Sequence, residues 1–311
     1  VTGGAESSLS DLLAEGERSA LRGTPSHALP PLRSALAMAT QAGKLPEGLA
    51  AGWLLGVSLG AAGRYGEAMD VLEPLTSALN GAAGADPSTA LFGALAAATA
   101  ASIHRQLGRH LAARDLDDAG WTAADPLGAV ADEARLDCAI GLAADAVGLS
   151  DVATATTWAE RAAVLLAART DPGWRPQVRL DWVRSEIALL KGDPKEAVAA
   201  AGRALRTAER ARAPRHVAKS LLFQGVAQAS DSAEAAIGTL RRAAALAEGL
   251  GTLPLVWPAR AVLGALLGEA GHEDLATAGR AVRDITEGLP ESLRADWLAR
   301  DDISALLTAA T

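Results

Sequence analysis

Apolar residues recur along this chain at helical spacing, in pairs of segments divided by short polar turns. Leu12, Leu13, Gly16 and Ala20 fall on one face of a segment that Gly23 ends, and Ala28, Leu29, Leu32, Ala35 and Leu36 follow on the next. The plan then repeats. Trp53, Leu54, Gly56, Val57 and Leu59 precede a turn at Gly63; Ala68, Val71, Leu72 and Leu75 come after it. Pro25 suits a helix start, because its fixed φ fits the first turn. Asp171-Pro172-Gly173-Trp174-Arg175-Pro176 reads as a break between units. No stretch alternates as a strand would.

The turns share a signature: a small residue, then Gly, then Ala. The clearest copies are Gly63-Arg64-Tyr65-Gly66-Glu67-Ala68 and Gly192-Asp193-Pro194-Lys195-Glu196-Ala197. Others begin at Gly23, Gly108, Gly148, Ser230 and Gly271. Their period of about 40 residues marks a stacked array of helical hairpins. The expected units are 9–42, 46–80, 88–122, 127–170, 177–212, 215–250 and 255–288, with a capping helix over 290–309, all in one array spanning 5–311. In such arrays each unit packs on its neighbours, so length does not force a division into domains.

The sets Gly16/Gly23/Ala28/Ala35, Gly56/Gly63/Ala68 and Gly192/Ala197/Ala204 resemble tetratricopeptide repeats, with looser copies at Gly141/Gly148/Ala155 and Gly264/Gly271/Ala276. The spacing exceeds the usual repeat of about 34 residues. It is similar to the longer repeats of actinobacterial signal-transduction regulators, as is the tail Leu289–Arg300. The resemblance implies an all-α, right-handed α-solenoid whose turn glycines are left-handed and whose concave groove binds protein segments. It carries no catalytic residue onto any position.

Composition narrows the partner. The chain has 50% hydrophobic but only 3% aromatic residues, and Ala makes up roughly a quarter of it, favouring thin, closely packed helix layers. A net charge of −8 repels phosphate backbones and argues against direct nucleic-acid binding. The lone Cys138 allows no internal disulfide and fits a reducing compartment. Val1–Ser10 lacks the pattern of a secretory signal, and the apolar run 90–103 is too short to span a bilayer. A cytoplasmic location without membrane insertion is therefore expected. The start at Val suggests a fragment, a processed product or an alternative start codon.

Motif chemistry is sparse. No phosphate-binding Gly-rich loop, HExxH or nucleophile elbow is present, and no cofactor or metal is expected. His104 and His110 lack further ligands, and Asp117-Asp118 reads as a solvated face. Binding residues are expected on the first helix of each unit. Trp53 and Trp182 occupy matching positions there, either facing the groove or packing between repeats. Arg135, Cys138, Leu142 and Asp145 would line the fourth unit, Arg179, Glu186 and Leu189 the fifth, and Ser220, Gln224 and Gln228 the sixth. Arg203, Arg206, Arg210, Arg212, Arg215 and Lys219 concentrate positive charge, with Arg175 and Arg179 nearby. They could receive an acidic peptide or phosphorylated ligand, or form a solvated face.

Three functions fit: an adaptor that holds a protein or peptide segment, the sensing part of a larger transcriptional or signalling regulator, or an all-helical biosynthetic enzyme. The first leads, making a non-enzyme the expected class and leaving self-association open.

Overall fold

The computed structural model describes residues 7–81 and 86–310. Among them are sixteen α-helices and no strand. Seven antiparallel hairpins stack in order. They are α1 (Leu9–Arg22) with α2 (Pro25–Ala42), α3 (Leu45–Ala62) with α4 (Tyr65–Ser77), and α5 (Pro87–Gln106) with α6 (His110–Ala124). Next come α7 (Asp132–Gly148) with α8 (Val152–Ala167), and α9 (Trp174–Leu190) with α10 (Pro194–Arg210). The last two are α11 (Pro214–Gln228) with α12 (Ala233–Gly249), and α13 (Leu253–Leu267) with α14 (His272–Glu287).

Local chemistry explains many of the boundaries. Side chains of Ser8, Asp86, Asp151, Asp193 and Ser232 accept backbone N–H groups at the starts of α1, α5, α8, α10 and α12. Gly63 ends α3 at φ 86°, while the N–H of Arg64 reaches back to the carbonyl of Leu59. Not every turn uses a left-handed glycine: Ser150 and Arg212 take positive φ in their turns, and Gly23 stays extended. The small residue in the first helix sets the approach of the second. A methyl at Gly225 would lie 2.6 Å from Cγ of Leu240, so the hairpin closes only on glycine.

Two expected boundaries shift. The break at 171–176 overlaps a helix start: α9 begins at Trp174 and takes Pro176 within its first turn, where proline forfeits no helical bond. The terminal cap is two short helices, α15 (Glu291–Leu298) and α16 (Asp301–Ala309). Arg300 between them is extended; its guanidinium pairs with Asp302 and donates to the carbonyl of Gln106.

That last bond spans the molecule and reveals its closure. The array curls until α13 touches α3. Gly63 sits under Ile285, Leu253 and Pro254, and Gly66 approaches the carbonyl of Gly288. From the other side, Arg22 at the end of α1 lies over the ring of Trp174, 5.6 Å from its centroid. Helices α3, α5, α7, α9, α11 and α13 thus face a common interior. The main core lies between layers, from Leu32, Leu59, Leu72 and Ile103 to Ile285, Trp297 and Ile303. By length and mean hydropathy (1.2) α3 could cross a membrane; half of its residues are buried within the array.

Candidate functional site

The interior holds a cavity of about 170 Å³, walled by α3, α5, α7, α9, α11 and α13. On α9 the lining residues Arg175, Arg179, Trp182, Val183 and Glu186 fall at helical spacing along one stripe. Arg215, His216, Lys219 and Phe223 do the same on α11. Opposite them lie Arg105 and Gln106 of α5 with the smaller side chains of Val57, Thr99 and Ile140.

One wall is aromatic. The ring of His216 stacks on Trp182 with centroids 5.5 Å apart, and its edge meets Trp174 at 4.7 Å. Phe223 stacks on Trp182, and Lys219 places its ammonium 4.6 Å from that ring's centroid. Trp182 Nε1 donates to Ser220 Oγ at 2.8 Å, which fixes the indole. His216 is 2% exposed with Nδ1 unpartnered; burial and four neighbouring cations push its pKa well below the usual value, so the ring is neutral.

The charges divide into satisfied and unsatisfied groups. Arg105 bridges Asp117 (2.5 Å) and Asp145 (2.9 Å), both fully buried. Burial raises both carboxyls, and their proximity adds to the rise at Asp117, so the pair holds a proton more tightly than exposed acids do. Gly141 makes this possible, because its missing side chain leaves room for the carboxylate of Asp117. Asp137 carries two cations: Arg175 (2.6 Å), which also reaches Glu133, and Arg179. Against its burial, those arginines keep its pKa low.

Arg215 differs. It forms no ion pair or hydrogen bond among the described residues, and burial with the fields of Arg175 and Arg179 lowers its pKa to about 10. Among the described residues Lys219 has no acid within ion-pair distance; burial brings it down to about 8, with Glu186 opposing the fall. Burial likewise raises Glu186 to about 7. The α9–α11 side of the cavity therefore holds more positive charge than its acids balance.

Of the expected groove residues, Arg179, Trp182 and Glu186 come together here with Arg215 and Lys219. The others lie elsewhere. Trp53 packs between repeats, bonded to Thr99 and tilted against Phe92, one turn before the stripe of α3 that faces inward. Arg135 pairs with Asp125 and Asp132, and Asp145 serves Arg105. Gln224 sits off the lining, and Gln228 accepts from Thr239. Cys138 is buried against Ala94 and Gly120. Arg203 pairs with Asp181 and Glu196, while Arg206, Arg210 and Arg212 are exposed at the outer helix α10 and its turn. The basic stretch is thus split between two faces.

Sequence reasoning missed Arg105, Asp137, His216 and Phe223. The spacing 215/216/219/223 is a legible helical stripe. Its inward orientation depends on the rotation of α11, which one-dimensional spacing leaves open.

No protein-family profile matches the chain, and no curated protein does. Solved structures do match. A Rap protein complexed with competence and sporulation factor superposes with a TM-score of 0.64 at 12% identity, over 96% of this chain and 80% of that one. Aspartyl phosphate phosphatase F from Bacillus subtilis gives 0.49 at 16%, over 99% and 84%. A signal transduction ATPase with a tetratricopeptide repeat sensor from Pyrococcus horikoshii gives 0.48 at 13%, over 90% and 42%. The chain folds as a tetratricopeptide-like helical-repeat array. The fold is what the first likeness establishes.

Proposed function

We propose that this protein is a non-catalytic regulatory scaffold whose interior face takes hold of an acidic protein or peptide segment. The observation that carries this reading is the α9–α11 wall, where Arg179, Arg215 and Lys219 stand beside the Trp182–His216–Phe223 stack. Arginine and tryptophan, enclosed together, are what binding hot spots favour. Support comes also from the Rap protein of the same fold, which was solved with a bound factor. The cavity is smaller than pockets for drug-sized ligands, which start near roughly 300 Å³. A segment would therefore enter by parting α13 from α3, and that coupling of binding to opening gives the scaffold two states to regulate with.

The test begins with a displayed library of acidic peptides selected on the purified protein. Affinities of enriched peptides are then measured calorimetrically for the wild type and for Arg179→Gln with Lys219→Gln. The expected loss is about tenfold or more, roughly 1.4 kcal/mol, with helical circular dichroism unchanged. An empty selection, or affinities indifferent to both substitutions, sinks the reading.

A further inference from the structure

We infer that the interior cavity is a binding site for a small, doubly charged oxyanion, a phosphoryl group held between Arg215, Lys219 and the arginines of α9. This goes beyond the peptide reading, because it concerns a small ion held at the cavity wall without any segment bound.

Arg175, Arg179, Arg215 and Lys219 contribute four positive charges to one side of the cavity. Behind the wall Asp137 is buried against Arg175 and Arg179, half-exposed Glu133 pairs with Arg175, and Glu186 is the acid in the lining. Burial raises Glu186, so this acid offsets less than a full charge at neutral pH and positive charge is in excess on this side. Arg215 and Lys219, half-buried and without an ion-pair partner among the described residues, are costly to hold in one wall, and an anion arriving from outside would offset that cost.

Geometry supplies the second reason. The cations come from two walls, α9 and α11. Guanidinium forks and an ammonium supplied by two helices suit the several oxygens of a tetrahedral oxyanion. A third, independent observation is His216. It lines the same cavity, is 2% exposed, and carries a buried Nδ1 without a partner. Arg215 is the discriminating residue, since no acid among the described residues pairs with it. A structural arginine stabilises the fold that holds it. Arg215 instead meets the repulsion of Arg175 and Arg179, so it stabilises the fold only when the anion is present.

The experiment is thermal unfolding of the whole chain at fixed ionic strength, with chloride replaced stepwise by inorganic phosphate. The expected result is a saturable Tm rise of about 2–4 °C. Arg215→Met is expected to melt above the wild type in chloride and to lose the response to phosphate. Lys219→Met should weaken that response, and Arg206→Met on the outer face should keep it. Glycerol phosphate and succinate form the other arms. A stronger response to glycerol phosphate identifies an organic phosphate as the source; an equal one identifies the free ion. A response to succinate alone, no response to any of them, or an Arg215→Met protein less stable in chloride than the wild type overturns the inference. Peptide selection is scored separately. Phosphate stabilisation through Arg215 with no peptide enriched leaves this site standing without the scaffold reading, and the reverse pattern leaves the scaffold reading alone.

Discussion

Two groups of arginines, close in sequence, live under opposite conditions. Arg203, Arg206, Arg210 and Arg212 lie on or just after α10, where they are exposed or half-exposed and one pairs with Asp181 and Glu196. Arg175, Arg179 and Arg215 lie on the inner helices α9 and α11 around one cavity. Outside, water and salt screen each charge, and an ion pair contributes about 0–1 kcal/mol. Inside, the same residue type is either held by a buried carboxylate or left in conflict with its neighbours. A count of basic residues along the chain therefore says little; the side of the hairpin decides what each can do.

The sharpest way to break the comparison is to remove the acid on which the interior depends. Asp137→Asn leaves Arg175 with Glu133 alone and Arg179 with no ion-pair partner among the described residues. A loss of about 3–5 kcal/mol is expected by urea denaturation, as for other broken buried pairs. A loss under about 1 kcal/mol, the range of an exposed pair, would mean the interior is as well solvated as α10.

The next test uses pH. Burial raises Glu186 from 4.5 in the free state to about 7 in the fold. Between those values the unfolded chain has released a proton that the folded chain retains, so this group's contribution to stability falls as pH rises from 4.5 to 7. Glu186→Gln should remove that decline, so that stability relative to wild type improves across the window by up to about 3 kcal/mol. His216, whose pKa is lowered, acts in the opposite direction and is common to both proteins, so the difference curve reports Glu186 together with the further fall of Lys219 that follows the loss of its opposing charge. A flat difference curve would show that the glutamate titrates as an exposed one.

The smallest effect is expected outside. Arg203→Ala breaks the pairs with Asp181 and Glu196 at about 39% side-chain exposure, and should cost no more than about 1 kcal/mol. A cost equal to that of Asp137→Asn would erase the distinction between the two faces.

The hairpin plan was legible because it rests on local rules. Helical periodicity, aspartate and serine caps, prolines in first turns and small residues at crossings all act within one hairpin. Arg179, Trp182 and Glu186 were legible for a related reason: they share one face of one helix. Trp53 and Trp182 matched in sequence register but part in space: Trp53 shares the face of Val57 and lies one turn beyond the cavity, bonded to the lining residue Thr99, whereas Trp182 is on the wall itself. Aligning turns fixes position along a helix and leaves its rotation about its own axis undetermined, and a shift of two residues carries a side chain from one face to the other. This is why α7 presents Ile140, Gly141 and Ala144 to the cavity in place of Cys138, Leu142 and Asp145.

By itself, then, the sequence determined the all-helical class, the number of hairpins and the positions of most turns, since those follow from interactions between residues near one another in the chain. The tertiary structure alone decided that the array curls until α13 meets α3, that Arg300 reaches the carbonyl of Gln106, and that four cations from two helices share one cavity. Small rotations between successive hairpins accumulate into that curvature. Their sum brings together side chains distant in sequence, which no local pattern records.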